Sequence, residues 1–311
     1  MLAVKRVTDG VVAVEVDEPA RDGVHITVRA AGICSTDLSM LSWGPSPITL
    51  GHEFAGVTDD GVVVAVEPIA PCGACDQCRS GAYNRCERGI EIYLGIGADG
   101  GMAERARVPA DALVPLPSSV RVEDASLVEP IAVARHGVRL VGITSGQRVA
   151  VVGAGPIGLL AAAVAIDTGA SVAVAARHSH QQAAAERIGA TVGPMGAYDV
   201  VIDAAGTSDS LTLAADLAAP GGALLLLATS WDKVELPGLP LMTKELRTLT
   251  TMAYNRVGSE RDFDSAAALL AARPELADAI VTHRFPLADA AEAFRVAADR
   301  AAGAIKVVLE P

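Results

Sequence analysis

Four of the five cysteines fall within PCGACDQCRSGAYNRCE, at Cys72, Cys75, Cys78 and Cys86, with the spacing C-x2-C-x2-C-x7-C. A disulfide framework requires an oxidising compartment, and no basic region precedes an apolar run at the N-terminus to direct export. Cysteines separated by two residues are better placed to converge on one ion than to bridge each other. Four thiolates around Zn2+ form a closed tetrahedral site with no position left for chemistry, so the segment is expected to be a loop stapled by structural zinc. Gly73, Gly81 and the short polar residues between them let the backbone fold tightly. An iron–sulfur cluster is the other metal reading.

Cys34 stands apart, in AAGICSTDLS, after the alternating run at residues 24–28. A lone cysteine is ordinarily a small buried hydrophobe. GHEFAG begins 17 residues further on and offers His52 and Glu53, and LVEPIAVARHG offers Glu129 beside Pro130. One thiolate, one imidazole and one or two carboxylates are the ligand types of a catalytic zinc, which keeps a position for water or substrate. Spacing alone does not gather them; the fold must.

The elements that would position a second reactant are clearer. VAVVGAGPIGLLAAAVAIDTGA places Gly153, Gly155 and Gly158, with Ala154, Pro156 and Ile157 between them, after four strand residues and before an apolar helix. This is the G-x-G-x-x-G turn in its strand–turn–helix context: a tight turn, close backbone approach to a pyrophosphate, and a helix N-terminus facing its charge. SVAVAA supplies a second strand, YDVVIDAAG a third, residues 211–217 a helix and GGALLLLATS a fourth strand. Runs without alternation predict a parallel sheet covered on both faces. At the end of the second strand, where NAD sites carry an acidic residue, stand Ala176 and Arg177. No carboxylate repels a 2′-phosphate there and a guanidinium can bind it, so NADP(H) is favoured over NAD(H). The competing reading of Arg177 is an ordinary exposed side chain.

The 311 residues, 51% hydrophobic and only 3% aromatic, can bury a core built from Ala, Val, Leu and Ile. A formal charge of −12 argues against nucleic-acid and anionic-membrane partners. The uncharged window 149–166 is long enough to raise a membrane span, but its glycines and proline read as strand plus helix.

In this order GICSTD, GHEFAG, the four-cysteine lobe, GGMAE, LVEPIAVARHG, VAVVGAGPIG, THRFPLADAAEAF and GAIKVVLEP resemble, essentially end to end, the medium-chain zinc-dependent alcohol and polyol dehydrogenases. Glu129-Pro130 resembles the sorbitol and threonine dehydrogenase branch. The resemblance implies an α/β protein: a GroES-like, partly open β-barrel catalytic domain over residues 1–131, a Rossmann doubly wound domain over 132–259, and a return to the catalytic domain over 260–311. It implies two Zn2+ per chain. Cys34 and His52 would ligate the catalytic ion, with Glu129 a ligand directly or through water and Glu53 a neighbouring carboxylate able to exchange with it. Asp37 would accept from His52 and fix its tautomer, and Thr36 would take the substrate proton. It further implies a small alcohol or ketone substrate, a cytoplasmic protein and a homodimer or homotetramer, joined through residues 248–254 edge to edge.

The chain also departs from that pattern. Ser39 stands where some relatives place a relay histidine, so the proton must leave by water or the nucleotide ribose. The segments following Cys34 and Gly56 are short, and they border the expected substrate cleft. A zinc-free quinone or enone reductase of the same superfamily, and a zinc-stapled protein without turnover, are the rival readings. His178 and His180 read as solvated loop histidines with a secondary option beside a 2′-phosphate. His136 reads as a packing residue, as do Trp43 and Tyr93, with lining of the cleft as the secondary option for those two.

Overall fold

The computed structural model describes residues 1–20 and 22–311. Two compact units emerge: Met1–Glu129, Asn255–Ala277 and Val281–Pro311 form one, and Pro130–Tyr254 with Asp278–Ile280 form the other. The breaks after Glu129 and Tyr254 lie slightly before the boundaries read from the sequence, and Asp278–Ile280 goes with the second unit.

The first unit is organised around Val24–Gly32, whose early residues alternate in burial and whose last three are all buried. This strand pairs antiparallel with Glu53–Thr58, Arg105–Val108 and Lys306–Glu310, so it is the hub of a seven-stranded sheet that also holds Val281–Pro286, Val63–Val66 and Leu113–Pro115. Ile26, Val28, Phe54, Val64, Val66, Met102 and Leu309 fill its core. Aliphatic side chains thus supply nearly all of the packing, as the scarcity of aromatics requires. After GHEFAG the chain turns at once from Glu53–Thr58 into Val63–Val66: Gly61, at φ 85°, donates to Thr58 O, and Thr58 donates to Val62 O. This tight turn is the physical form of the shortened segment. A second, three-stranded sheet joins Gly10–Glu15, Leu2–Val7 and Ser46–Thr49.

The second unit carries six parallel strands: Arg148–Val152, Ser171–Ala175, Thr191–Val192, Tyr198–Asp203, Ala218–Leu226 and Arg247–Thr250. Numbered along the chain, they lie in the order third, second, first, fourth, fifth, sixth. That is the doubly wound order of dinucleotide-binding sheets. Val149, Val151, Val200–Ile202 and Ala223–Leu225 are buried whichever way they point, which is why these strands lack alternation. The apolar window resolves into the first strand and the helix Pro156–Asp167, and among the described residues no helix is long and apolar enough to cross a membrane. The sixth strand covers only part of residues 248–254 and forms one edge of the sheet.

Candidate metal and nucleotide sites

The four lobe cysteines bring their sulfurs together, all within 4.8 Å of one another. Cys72 Sγ lies 3.8 Å from Cys78 Sγ, and Cys75 Sγ lies 3.4 Å from it. Sulfurs about 2.3 Å from a tetrahedral zinc are about 3.8 Å apart, whereas a disulfide spans about 2.05 Å. All five cysteines are free, so the lobe fits a closed zinc site and not a disulfide framework. The backbone favours the charged form: the N–H groups of Ala74 and Cys75 donate to Cys72 Sγ and hold that thiol down to about 6. Gly73 and Gly81 take φ values of 69° and 87°, and a Cβ on Gly81 would meet Arg256 O at 2.9 Å.

The lobe is also tied to the segment by which the chain returns to this unit. Arg256 N donates to Gly81 O and Asn255 Nδ2 to Asn84 Oδ1, while the Arg256 guanidinium lies 5.9 Å from the Tyr83 ring centre. Tyr83 OH donates to Glu67 Oε1, and Arg261 donates to Glu67 Oε2 at 3.1 Å. Burial raises the Glu67 carboxyl above its usual range, against the lowering by Tyr83 and Arg261.

The second cluster is assembled from remote chain. Cys34 caps the helix Ser35–Met40, directly after the hub strand, and His52-Glu53 opens the strand paired beside it, with Glu53 opposite Gly32. One ligand atom from each of Cys34, His52 and Glu53 lies within 4.8 Å of the others. Asp37 serves both sides of the cluster. Its Oδ2 accepts the Cys34 N–H at 2.9 Å, and its Oδ1 stands 3.5 Å from His52 Nδ1, where neither atom has another hydrogen-bond partner. Nδ1 facing Asp37 leaves Nε2 as the ring nitrogen for a metal. Burial opposes the imidazolium, but the charges of Asp37 and Cys34 overcome it and raise His52 well above its usual value. The pocket therefore favours a cation. A thiolate, an imidazole and a carboxylate fit Zn2+ and leave the fourth position of a tetrahedral ion open.

The carboxylate in this group is Glu53. Glu129, expected as a ligand directly or through water with Glu53 as its exchanging neighbour, lies buried in the same unit. It stands in the first turn of the helix Val128–Val141, where its charge adds to burial in raising Tyr93 and adds a little to the charges of Glu53 and Cys34 in raising Lys306. Sequence reading missed Lys306: its Nζ donates to Glu53 Oε1 at 2.8 Å, to Glu53 Oε2 at 2.6 Å and to Ile33 O at 3.1 Å. Burial works against this ammonium, but the charge of Glu53, then that of Cys34, holds it above the usual lysine range. Only the position of Lys306 at the start of a terminal strand, among apolar residues, hinted at its burial.

In the second unit each glycine of the turn has its own reason. Gly153 sits at φ 105°, and a Cβ on Gly158 would come 1.9 Å from Gly153 O, so helix and turn pack too closely for any side chain. Gly155, the cap of the helix Pro156–Asp167, has nothing within 4 Å of its Cβ position. The open face is thus where a pyrophosphate approaches and the crowded face is where helix meets strand. Ala176 and Arg177 follow the second strand, with Arg177 exposed and Ala176 O accepting from Gln182 Nε2. The rings of His178 and His180 stack with centres 5.4 Å apart.

Of the remaining residues, Trp43 is exposed and Tyr93 half-buried. His136 is buried and 2.9 Å from an Arg139 nitrogen, Tyr93 OH donates to Asn84 O, and Arg6 lies over Trp43 at 5.6 Å. Thr36 and Ser39 are half-buried on the helix that Cys34 caps.

A dinucleotide-type sheet with an open phosphate turn, joined in one chain to a closed and an open cation cluster, defines the class as metal-dependent nucleotide-linked oxidoreductases. Residues 20–118 match the alcohol dehydrogenase GroES-like domain, and residues 122–310 match the glucose dehydrogenase C-terminus. The chain is 33% identical to L-galactonate-5-dehydrogenase of Escherichia coli (strain K12), over 90% of this chain and 89% of that one. Galactitol-1-phosphate dehydrogenase from Escherichia coli superposes with a TM-score of 0.89 at 30% identity, over 100% of both chains. A zinc-binding dehydrogenase from Sinorhizobium meliloti 1021, bound to NADP, gives 0.86 at 30% identity, over 100% of this chain and 99% of that one. The chain belongs to the medium-chain zinc-dependent alcohol and polyol dehydrogenases, with their GroES-like and Rossmann folds.

Proposed function

We propose that this chain transfers a hydride between NADP(H) and a polyol-type secondary alcohol or its ketone. The observation that carries this reading is the meeting of Cys34, His52 and Glu53. Zn2+ held there supplies Lewis acidity, lowering the pKa of an alcohol toward neutrality or polarising a carbonyl. Asp37 keeps the imidazole oriented and aligns the start of the helix behind Cys34. The Thr36 hydroxyl takes the alcohol proton and passes it to water or the nucleotide ribose, since Ser39 offers no imidazole relay. The backbone at Gly153, Ala154, Gly155, Pro156, Ile157 and Gly158 holds the pyrophosphate, and Arg177, with no carboxylate at Ala176, holds the 2′-phosphate. Residues 1–131 and 260–311 act as the catalytic part and 132–259 as the nucleotide part. Cys72, Cys75, Cys78 and Cys86 hold the second Zn2+ as a structural staple, and Glu129 serves the open site as a ligand directly or through water.

The polyol assignment follows the relatives named for L-galactonate and galactitol 1-phosphate, and the NADP assignment agrees with the NADP-bound Sinorhizobium structure. The short edge strand Arg247–Thr250 is the surface through which a cytoplasmic homodimer or homotetramer would form. The test is an NADP+-linked assay on a panel of sugar alcohols, aldonates and simple secondary alcohols, with NADPH on the matching ketones, each run beside the NAD(H) form. Oxidation of a polyol with NADP+ preferred supports the reading; no turnover on any alcohol or ketone by protein loaded with both zinc ions contradicts it, in favour of a stapled protein without catalysis. The joint presence of Cys34, His52 and Glu129, with Glu53 beside them, weighs against a zinc-free reductase.

A further inference from the structure

Glu53 and Lys306 make an ion pair whose side chains are 1% and 2% exposed. All three N–H donors of the ammonium are used: two on the two carboxylate oxygens and one on Ile33 O, the carbonyl immediately before Cys34. A buried ion pair is a poor device for stability alone, because desolvation offsets most of the attraction. The location of this pair suggests a different use. Its carboxylate also stands within 4.8 Å of the ligand atoms of Cys34 and His52. Gly32 makes room for it, since a Cβ there would lie 2.3 Å from Glu53 Oε2.

We propose that Lys306 is a positioning residue that shares the Glu53 carboxylate with the metal, weakening it as a ligand so that the position it takes can be yielded to substrate oxygen. The inference rests on the proposed use of Cys34, His52 and Glu53 as an ion site. The last strand of the chain thereby sets the behaviour of a ligand delivered by Glu53–Thr58, and the same ammonium steadies the backbone that leads into the thiolate. Without its partner, the carboxylate has the ion as its nearest cation.

The test uses full-length protein loaded with Co2+ and titrated with 1,10-phenanthroline, read by the cobalt absorption bands; the closed lobe has no position to offer the chelator. In Lys306→Met the phenanthroline affinity should fall by at least about tenfold as Glu53, freed of its competitor, holds its position on the ion more tightly. Lys306→Arg should keep most of it, and the double variant Lys306→Met/Glu53→Gln should recover it. A merely structural lysine predicts the opposite ranking, with the double variant no better than the single. Unchanged affinity in Lys306→Met, or no recovery in the double variant, overturns the inference. Should Lys306→Met fail to fold, Gly32→Ala presses on the carboxylate while leaving the lysine in place, and an unaltered cobalt response in that variant also overturns it. Wild-type protein showing no phenanthroline-sensitive cobalt would defeat the ion-site reading itself, an outcome distinct from a responsive wild type with unresponsive variants.

Discussion

The two cation clusters of the first unit differ in almost every respect that governs what a metal can do. The lobe draws four like ligands from 15 consecutive residues, Cys72 to Cys86, three of them half-buried or exposed. The other draws three unlike ligands from the adjoining ends of two strands brought together by pairing, two of them buried, with Asp37 and Lys306 behind them. A local cluster needs only tight turns, and it closes on itself. A cluster gathered by tertiary structure can keep one side open and surround the ligands with groups that tune them. Closure makes a staple; an open, buttressed set makes a reactive centre.

The largest contrast should come from paired substitutions. Cys34→Ser should lower kcat/KM at least about a hundredfold with thermal unfolding little changed. Cys72→Ser should instead lower Tm by about 10 °C and release one zinc, as calorimetry and metal analysis would show. Equal losses of activity and stability in both variants would erase the distinction. Asp37→Asn sharpens it, because that residue serves only the open cluster: kcat should fall about 10–100-fold while the lobe keeps its ion. In the second unit, Ala176→Asp should move the kcat/KM ratio toward NAD+ by about tenfold or more; an unchanged ratio would remove Arg177 from cofactor choice.

The smallest effect concerns the tie between lobe and return segment. Burial holds the folded Glu67 carboxyl above its ordinary value of 4.5. A carboxyl raised in this way adds stability below its unfolded pKa and loses it as pH rises through the folded value. The stability advantage of wild type over Glu67→Gln, read from urea midpoints, should therefore shrink by an amount of order 1 kcal/mol between pH 4.5 and neutrality. A growing advantage would reverse the assignment.

What the sequence made legible follows the same divide. The lobe and the glycine turn are local patterns whose spacing already states the geometry, as Gly153 and Gly158 illustrate. Cys34 and His52 became readable through resemblance, since 18 positions separate them and nothing in their spacing gathers them. The place of Glu53 beside the thiolate was not readable, because it is the pairing of Gly32 with Glu53 that brings them together. Lys306 lies 253 positions from Glu53 and sits in a strand that reads as ordinary apolar sheet. The expected strand at 248–254 stops at Thr250, where the chain leaves the sheet edge for the turn at Ala253, φ 47°.

Zinc content measured beside NADP+-linked turnover, in native protein and in a Cys34→Ala/His52→Ala variant, tests the central claim most directly. Two ions per chain should fall to one, with the lobe ion retained and turnover lost. A single ion in fully active native protein, or a variant that keeps both its second ion and its activity, would contradict it.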